Sequence, residues 1–425
     1  MKIRKLAYLV AIFIFAAGAG NYLQSGADSR KYSENYPELV CPNIGGAQSQ
    51  ISLTTSKRLV RFLPAKDFNF VPSKTTRLST SQSSVIVDGQ GTSSMAWIAK
   101  SGSWAGGVNC LAPQAEQYFV GATGDVSSKA KLVVINAGLS PSIVDVVTYS
   151  EGMSLKKTIT VGKNQVSTLN VVSLAPGAKS IGMHVIPRTG RVTSYLVDER
   201  GRGLKVLGGD LVNSQSSLSR NLLIPGIPHA AKSKTHVLRI LNPGAADSFI
   251  TVEIVSKDGR YVPVGLDNKK VAAGKVADIS FDFDSKQTSL GLKITSDQPI
   301  AAAVYSRIGN DFTWSSAVKP GIQPGTWAIT GLDPGLHLVG TNIKAKVVVL
   351  MPGRKQIVKT VTGTDYATYK LPKGALGMRI DGISSDTAAS LIVYSQSGVG
   401  FLPLVNGSQL TRSTVPTANI GVLNP

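Results

Sequence analysis

A segment built as strand, asparagine turn and strand, repeated along the chain, limits the possible folds most strongly. Residues 236–259 read HVLRILNPGAADSFITVEIVSKDG, and residues 131–152 read KLVVINAGLSPSIVDVVTYSEG. Their turn residues Asn136 and Asn242 are 106 positions apart, and residues 336–353 form a looser third copy. A period of this length indicates tandem domains, because the repeats of solenoid proteins are shorter.

A second repeated segment, a closing hairpin, occurs four times. Its copies span residues 83–102, 180–201, 289–309 and 375–398. Four closing hairpins against three opening segments predict that the first domain is abbreviated. The predicted divisions are 1–28 for a signal peptide or membrane anchor, 29–113 for a tether and the abbreviated, disulfide-linked first domain, 114–215 for repeat 1, 216–322 for repeat 2, 323–410 for repeat 3, and 411–425 for a tail.

The residue composition and the strand spacing predict an all-β fold. The 43 Gly and 21 Pro residues separate short β-rich runs, and an apolar fraction of 42% is sufficient for packed cores. Each full repeat has about seven strand candidates in roughly 100 residues, which is typical of an immunoglobulin-like β-sandwich. A β-propeller is the alternative, but its four-stranded blades repeat every 40 to 50 residues, roughly half the period found here. Short joints at 213–221 and 317–327 predict that the domains form a semi-rigid rod.

The N-terminus has the pattern of an export signal. Lys2, Arg4 and Lys5 precede the apolar run of residues 6–20, LAYLVAIFIFAAGAG. This pattern predicts either a cleaved signal peptide or one membrane-spanning anchor with its N-terminus inside the cell. In both cases we expect the rest of the chain to be extracytoplasmic, either secreted or anchored by a single pass.

The chain has two cysteines, Cys41 and Cys110, which lie 69 positions apart. In an exported chain, two cysteines most simply form one disulfide. Metal binding would need further ligands nearby, and the four histidines are scattered along the sequence at His184, His229, His236 and His337. The sequence therefore predicts one disulfide, with no metal site and no cofactor.

Basic residues exceed acidic residues by 20, and one segment of the first domain concentrates them. Most basic residues alternate with apolar ones, which is typical of a dispersed, solubilising surface. Residues 51–80 instead contain one acidic residue and six basic residues, which are Lys57, Arg58, Arg61, Lys66, Lys74 and Arg77. These six are the candidate binding site for an anionic wall polymer or lipid headgroups. The export signal argues against nucleic acid as the partner.

No sequence motif requires a catalytic activity. The Gly-x-Ser-x-Gly elbow, the His-Glu-x-x-His zinc motif and the Walker loop do not occur in the sequence. The acidic residues Asp278, Asp282 and Asp284 fit a charged strand edge better than a calcium site. The four tryptophans flank a domain joint or a glycine-rich bend, where aromatic residues more often pack into an interface than bind sugars; they are Trp97, Trp104, Trp314 and Trp327. We therefore expect a protein that is not an enzyme.

Several segments resemble an actinobacterial family of exported proteins, the domain of unknown function 5719. The resemblance is carried by residues 97–124, WIAKSGSWAGGVNCLAPQAEQYFVGATG, and by the opening segments around Asn136 and Asn242. It covers most of the chain from about Cys41 to Gly407. The chain departs from the family pattern in its INAG turn and in its degenerate third repeat. The resemblance implies an envelope location and supplies no catalytic residue.

Together these observations predict a non-catalytic protein of the cell envelope. The expected role is that of an extracellular β-sandwich rod acting as a structural scaffold or as an adhesion or interaction module. The alternative is an accessory protein that binds envelope glycan or an anionic wall polymer. The expected partners are an envelope protein, an anionic polymer or lipid, and the membrane through the N-terminal segment.

Overall fold

The computed structural model describes residues 32–89, 92–321, 325–405 and 413–416, and most of their regular structure is β-strand. The all-β prediction is confirmed. The described residues from 38 to 405 form one compact unit, and the described residues 32–37 and 413–416 belong to a second. In this second unit, residues 32–35 pair antiparallel with residues 413–416. The predicted signal or anchor segment and most of the predicted tail lie outside the described residues.

The first domain and repeat 1 contain the first seventeen strands. The first domain contains β1 (Tyr32–Cys41), β2 (Gln48–Ser52), β3 (Leu59–Leu63), β4 (Val71–Pro72), β5 (Arg77–Thr80), β6 (Ser84–Gly89), β7 (Thr92–Ser93), β8 (Met95–Lys100) and β9 (Trp104–Asn109). Repeat 1 contains β10 (Gln117–Val120), β11 (Lys131–Asn136), β12 (Ser142–Ser150), β13 (Ser154–Val161), β14 (Gln165–Asn170), β15 (Ile181–Pro187), β16 (Thr193–Arg202) and β17 (Lys205–Val212). A 3-10 turn, Val171–Ser173, follows β14.

Repeats 2 and 3 contain the next sixteen strands. Repeat 2 contains β18 (Ser219–Pro228), β19 (Thr235–Asn242), β20 (Ser248–Ser256), β21 (Gly259–Tyr261), β22 (Lys269–Val271), β23 (Lys275–Asp282), β24 (Ser289–Ile308) and β25 (Asp311–Ser316). Repeat 3 contains β26 (Gly325–Ala328), β27 (Gly335–Val339), β28 (Ile343–Leu350), β29 (Gln356–Gly363), β30 (Tyr366–Lys370), β31 (Gly377–Gly382), β32 (Ala388–Ser395) and β33 (Gly398–Pro403). A 3-10 turn, Pro352–Arg354, precedes β29, and β34 (Ser413–Pro416) ends the described chain.

Repeat 1 shows the plan of each domain, which is a sandwich of two sheets. One sheet has the strand order β10-β15-β12-β13, and the other has the order β14-β11-β16-β17. Repeat 3 has the same plan, with the orders β26-β31-β28-β29 and β30-β27-β32-β33. In repeat 2 the long strand β24 serves both sheets, because it pairs with β18 and β20 and then with β19 and β25. Many strands alternate apolar and polar residues because only one sheet face is buried.

The first domain has the same strand order as the repeats, β1-β6-β3-β4 and β5-β2-β8-β9. The prediction that it is abbreviated is therefore wrong. β4 contains only two residues and β5 only four, which is too short to give a recognisable alternating pattern. The plan also has eight strands, one more than the spacing of strand candidates suggested; the additional strand of the first domain, β7, belongs to a sheet of repeat 3.

The predicted disulfide is confirmed. Cys41 at the end of β1 is bonded to Cys110, which directly follows β9, and their Cα atoms are 4.4 Å apart. Both cysteines are fully buried. A disulfide that closes a loop of this length should stabilise the fold by about 4 kcal/mol, because it restricts the unfolded chain.

The turn asparagines of the opening segment are buried and make matching contacts in repeats 1 and 2. Asn136 Nδ2 donates to the carbonyl oxygens of Ser140 (2.8 Å) and Val161 (3.1 Å). Its Oδ1 accepts from the backbone N–H of Gly138 at 2.9 Å. Asn242 makes the corresponding bonds to Ala246, Val271 and Gly244. Each asparagine thus closes its turn and joins it to the neighbouring edge strand.

The four domains form a closed ring. The last strand of each domain lies at the centre of the ring, and we call β9, β17, β25 and β33 the central strands. β9 packs on β17, β17 on β25, β25 on β33, and β33 on β9. The predicted semi-rigid rod is therefore wrong, because the first domain and repeat 3 would not touch in a rod.

Contacts between the first domain and repeat 3 close the ring. Ser52 Oγ donates to the carbonyl oxygen of Thr330 (2.9 Å), and Thr330 Oγ1 donates to that of Leu53 (3.1 Å). Asn109 Nδ2, at the end of β9, donates to the carbonyl oxygen of Pro403 at 2.6 Å. β7 also pairs in parallel with β26, so a strand of the first domain extends a sheet of repeat 3.

The hydrophobic cores extend across the domain boundaries. Met95, Trp97 and Ala105 of the first domain are buried in the core of repeat 3. Val133 and Tyr195 of repeat 1 are buried in the core of the first domain. Shared cores of this kind join the domains into one unit, whereas small polar interfaces would leave them free to move.

Candidate functional site

Glycines let the central strands approach one another closely. A Cβ atom added to Gly209 would lie 2.8 Å from Cγ of the buried Trp104, and one added to Gly107 would lie 2.7 Å from Cγ of Leu402. Contacts this short are not tolerated between carbon atoms, so a larger residue would separate neighbouring domains. The glycines are thus part of the mechanism by which the ring closes.

Asp311, the first residue of β25, lies where the four central strands meet. Its Oδ1 accepts from the backbone N–H of Gly209 on β17 at 3.0 Å. The backbone N–H groups of Ala105, Phe312 and Val399 also act on the carboxylate, so each central strand contributes one. Burial raises the pKa of Asp311 to about 6, and these N–H groups oppose the rise.

A second carboxylate, Asp210 on β17, is fully buried beside β25. Its Oδ2 accepts from Thr313 Oγ1 and from the backbone N–H of Trp314, both at 2.7 Å. Burial raises its pKa well above the usual range, and repulsion from Asp311 adds to the effect. The indole Nε1 of Trp314 donates to Asp198 at 2.9 Å. The boundary between repeats 1 and 2 is thus held by polar contacts that reach β25 from two strands.

A pocket opens at the end of the central strands, where hairpin turns of three domains meet. We call it the turn pocket, and its volume is about 330 Å³. Its lining residues come from the first domain, repeat 2 and repeat 3; they are Gly102, Ser103, Ile308, Asn310, Asp311, Tyr394, Ser395, Gln396, Ser397, Gly398 and Val399. No sequence pattern indicated this site, because three segments that are distant in sequence form it.

Two of the six residues in the predicted anionic-polymer site are buried, which contradicts that part of the prediction. Arg58 is 1% exposed, and its Nε is 2.6 Å from Oδ1 of Asp88. Arg61 is 4% exposed, and its Nη2 donates to the carbonyl oxygen of Ala137 in repeat 1 at 2.7 Å. Its guanidinium also bonds Asn164 of repeat 1. These two arginines hold the fold together and are not available to a polymer.

The other four residues of the predicted site are exposed, namely Lys57, Lys66, Lys74 and Arg77. Arg77 lies on β5 and also bonds Gln50. The predicted site is therefore reduced to these four residues.

Arg239 of repeat 2 has the same role as Arg61 at the next joint. Its Nε and Nη2 donate to the two carboxylate oxygens of Asp278 at 2.7 and 2.8 Å. Its guanidinium also bonds the carbonyl oxygens of Ala122 and Lys179 in repeat 1. Asp278 is therefore part of a joint between domains, and this excludes it from a calcium site.

The remaining acidic candidates are also engaged in the fold. Asp282 accepts from Thr235 Oγ1 at 2.7 Å, and Asp284 pairs with Lys234 at 2.8 Å. Within the described ranges, no group of three or more His, Cys, Asp or Glu residues could hold a metal ion. The four tryptophans are buried, Trp97 at 6% exposure and the others at 0%, which confirms that they pack at interfaces.

The structure brings two histidines, His229 and His236, into contact, although the sequence analysis treated the four histidines as scattered. His229 Nδ1 is 3.1 Å from His236 Nε2, and His236 Nδ1 is 2.7 Å from Ser306 Oγ. Burial and, to a smaller extent, repulsion from His229 lower the pKa of His236 to about 4. His229 directly follows β18 and His236 lies on β19, where the pairing with β24 places it opposite Ser306.

Two strands at the outer end of their sheets contrast with the centre, and we call β13 and β29 the peripheral strands. In the described part of the chain, β13 pairs with β12 and β29 pairs with β28, each along one edge. The first five residues of both strands are exposed, so solvent reaches both of their faces. Apolar side chains are among them: Leu155 is 42% exposed, Ile357 40% and Val358 57%.

Comparison with known proteins places the chain in a family. A family model described as a family of unknown function, DUF5719, matches residues 72–362. The chain belongs to this family. No curated protein matches it.

Two solved structures are similar at 11% identity. The crystal structure of Thermotoga maritima 1070 matches with a TM-score of 0.22, and the match covers 24% of this chain and 97% of that chain. A tetra-tandem repeat in the extending region of a large adhesion protein has a TM-score of 0.13, with 91% of this chain and 97% of that chain covered. At these TM-scores neither structure bears on the arrangement of the domains.

A helix with the length and apolar character needed to cross a membrane does not occur among the described residues.

Proposed function

We propose that this protein is an exported, non-catalytic scaffold of the cell envelope that holds other proteins at its surface. The Cys41–Cys110 disulfide supports an extracytoplasmic location, because disulfides form and persist in oxidising compartments. The ring supports a scaffold role, because Arg61 and Arg239 join successive domains through buried contacts. A unit joined in this way can present binding surfaces in fixed positions.

The observation that carries the proposal is the exposure of the peripheral strands. Each has one unpaired edge in the described structure, and an unpaired edge can pair with a strand of another chain. Leu155, Ile357 and Val358 add apolar surface beside these edges. Lysines on the same strands, such as Lys157 and Lys359, limit unselective pairing by charge. A partner with a complementary acidic strand would fit this surface.

The test is site-specific photo-crosslinking in intact cells. A photoreactive phenylalanine analogue at Val358 is expected to give a discrete adduct with another envelope protein. The same analogue at Val264, a fully exposed loop residue, is the control and should give no adduct. Equal adducts from both positions, or adducts from neither, would contradict docking on the peripheral strands.

A second candidate function is the binding of an anionic wall polymer or lipid headgroups. It is favoured by the net charge of +20 and by the exposure of the four remaining residues of the predicted site. Exposed charges farther apart than about 8 Å are largely screened at physiological salt, so binding should weaken steeply as salt rises.

This candidate is tested with polyphosphate and with vesicles containing phosphatidylglycerol. Changing Lys57, Lys66 and Lys74 to Gln is expected to reduce binding to both probes. Changing Lys355, Lys359 and Lys370 to Gln removes the same charge from exposed positions of repeat 3 and should have little effect. Equal losses from the two triple variants would mean that net charge alone causes the binding.

A further inference from the structure

The turn pocket lies between hairpin turns of three domains and has the chemistry of a binding site. Ser103 comes from the first domain, Asn310 from repeat 2, and Gln396 from repeat 3. Its volume of about 330 Å³ is within the range of small-molecule pockets, which often lie at domain interfaces. The pocket exists only because the ring closes, so each domain alone would lack it.

The lining of the turn pocket is mostly polar and uncharged. Ser103 and Ser397 supply hydroxyl groups, each of which can donate and accept a hydrogen bond, whereas the hydroxyl of Ser395 is bonded to Gly398 and Ser397 within its turn. The amides of Asn310 and Gln396 also provide both donors and acceptors. A ligand with many groups that both donate and accept hydrogen bonds would match this set.

The pocket also has an aromatic wall and one acidic residue. Tyr394 lines the pocket and is 54% exposed, so its ring offers a flat apolar surface to a ligand. Asp311 is the one charged residue among the described lining residues, so an anionic ligand would be repelled. The backbone N–H of Gly209 on the neighbouring central strand β17 holds the Asp311 carboxylate at 3.0 Å, so this part of the site is formed in advance of binding.

We propose that the turn pocket binds a neutral saccharide unit. A sugar ring carries hydroxyl groups that both donate and accept hydrogen bonds, which the serines and amides of the pocket can satisfy. Its C–H face is apolar and fits against an aromatic ring such as Tyr394. A hydrocarbon ligand would leave the polar lining groups without partners, and that loss disfavours it. This proposal is independent of protein docking on the peripheral strands, because the two sites lie on different elements.

The experiment is calorimetric titration of the full chain with neutral sugars. The probes are glucose, galactose, mannose, N-acetylglucosamine, maltose and cellobiose. At least one is expected to bind with an affinity in the range of roughly 10 µM to 10 mM. The double variant Tyr394→Ala/Gln396→Ala should lose at least about tenfold in affinity for that sugar.

Two further variants control for indirect effects. The double variant Tyr261→Ala/Gln356→Ala removes a similarly exposed tyrosine and a glutamine that are not among the lining residues, and it should retain affinity within about twofold. Ser397→Trp fills the pocket without altering the central strands and should abolish binding. The proposal is overturned if no probe binds, if the control variant loses as much affinity, or if Ser397→Trp binds normally.

Discussion

The central and peripheral strands are both edge strands of their sheets, yet their surroundings are opposite. β9 is buried along its whole length, whereas β13 and β29 are exposed at most positions. At the centre, the edge of one domain is covered by the last strand of the next. At the periphery, the edge is protected only by charged side chains such as Lys156. Ring closure, and not the single sandwich, therefore protects the central edges.

The largest expected difference between the two regions concerns their ion pairs. Arg239→Met leaves Asp278 without its partner at a buried joint, and we expect it to lower the free energy of unfolding by about 3 kcal/mol. Lys156→Gln removes a half-exposed partner of Asp145, which keeps its bond to Arg188, and should cost less than about 1 kcal/mol. Urea unfolding of both variants measures the difference. Equal losses would show that the joint contributes no more than a surface pair.

A smaller difference is expected from changes of side-chain volume. Gly209→Val places carbon atoms against the buried Trp104 and should destabilise the protein by about 2 kcal/mol. Val358→Thr on a peripheral strand is expected to change the stability by less than about 0.5 kcal/mol. Thermal unfolding is suited to this pair. If Gly209→Val melts with the wild type, the central strands are not packed as closely as described.

The response to pH also separates the centre from a site outside it, because the two should change in opposite directions. The pKa of Asp311 is raised to about 6, so its folded form keeps a proton that the unfolded chain has already lost. Its contribution to stability is therefore lost as the pH rises from about 4 to about 6. The pKa of His236 is lowered to about 4, so only the unfolded chain takes up a proton near pH 6.5. Its contribution is lost as the pH falls from about 6.5 to about 4.

Unfolding measured from pH 4 to pH 7 tests both statements. Relative to the wild type, Asp311→Asn should gain stability as the pH rises through this window. His236→Gln should gain stability, relative to the wild type, as the pH falls. The exposed Gln356→Ala, which removes no titratable group, serves as a control and should follow the wild-type profile. Profiles that stay parallel for all four proteins would contradict the burial assigned to Asp311 and His236.

Features with a local signature could be predicted from the sequence. The asparagine turns at Asn136 and Asn242 depend on residues a few positions away, and their repetition identified the domains. The two cysteines left one pairing within the chain. The all-β class follows from strand spacing and composition, which do not depend on how the domains are arranged.

Features that depend on contacts between domains could not be predicted. Arg61 is buried and Phe62 is 38% exposed, which reverses the usual preference, because repeat 1 supplies the partners of Arg61. Asp311 is a single acidic residue in a hairpin turn, and the N–H groups around it come from four separate strands. The alternation of polar and apolar residues shows which strand face is covered, but not which domain covers it.

The parallel pairing of β7 with β26 has a consequence for the order of events during synthesis. A chain that has emerged only as far as residue 322 contains three complete sandwiches but no repeat 3. Met95, Trp97 and Ala105, which repeat 3 covers, then face water. The hydrogen bond from Asn109 to the carbonyl oxygen of Pro403 likewise cannot form until the chain is 294 residues longer. Contacts this distant in sequence form slowly. A nascent or truncated chain therefore passes through an aggregation-prone state in which the ring is still open and apolar surface is exposed.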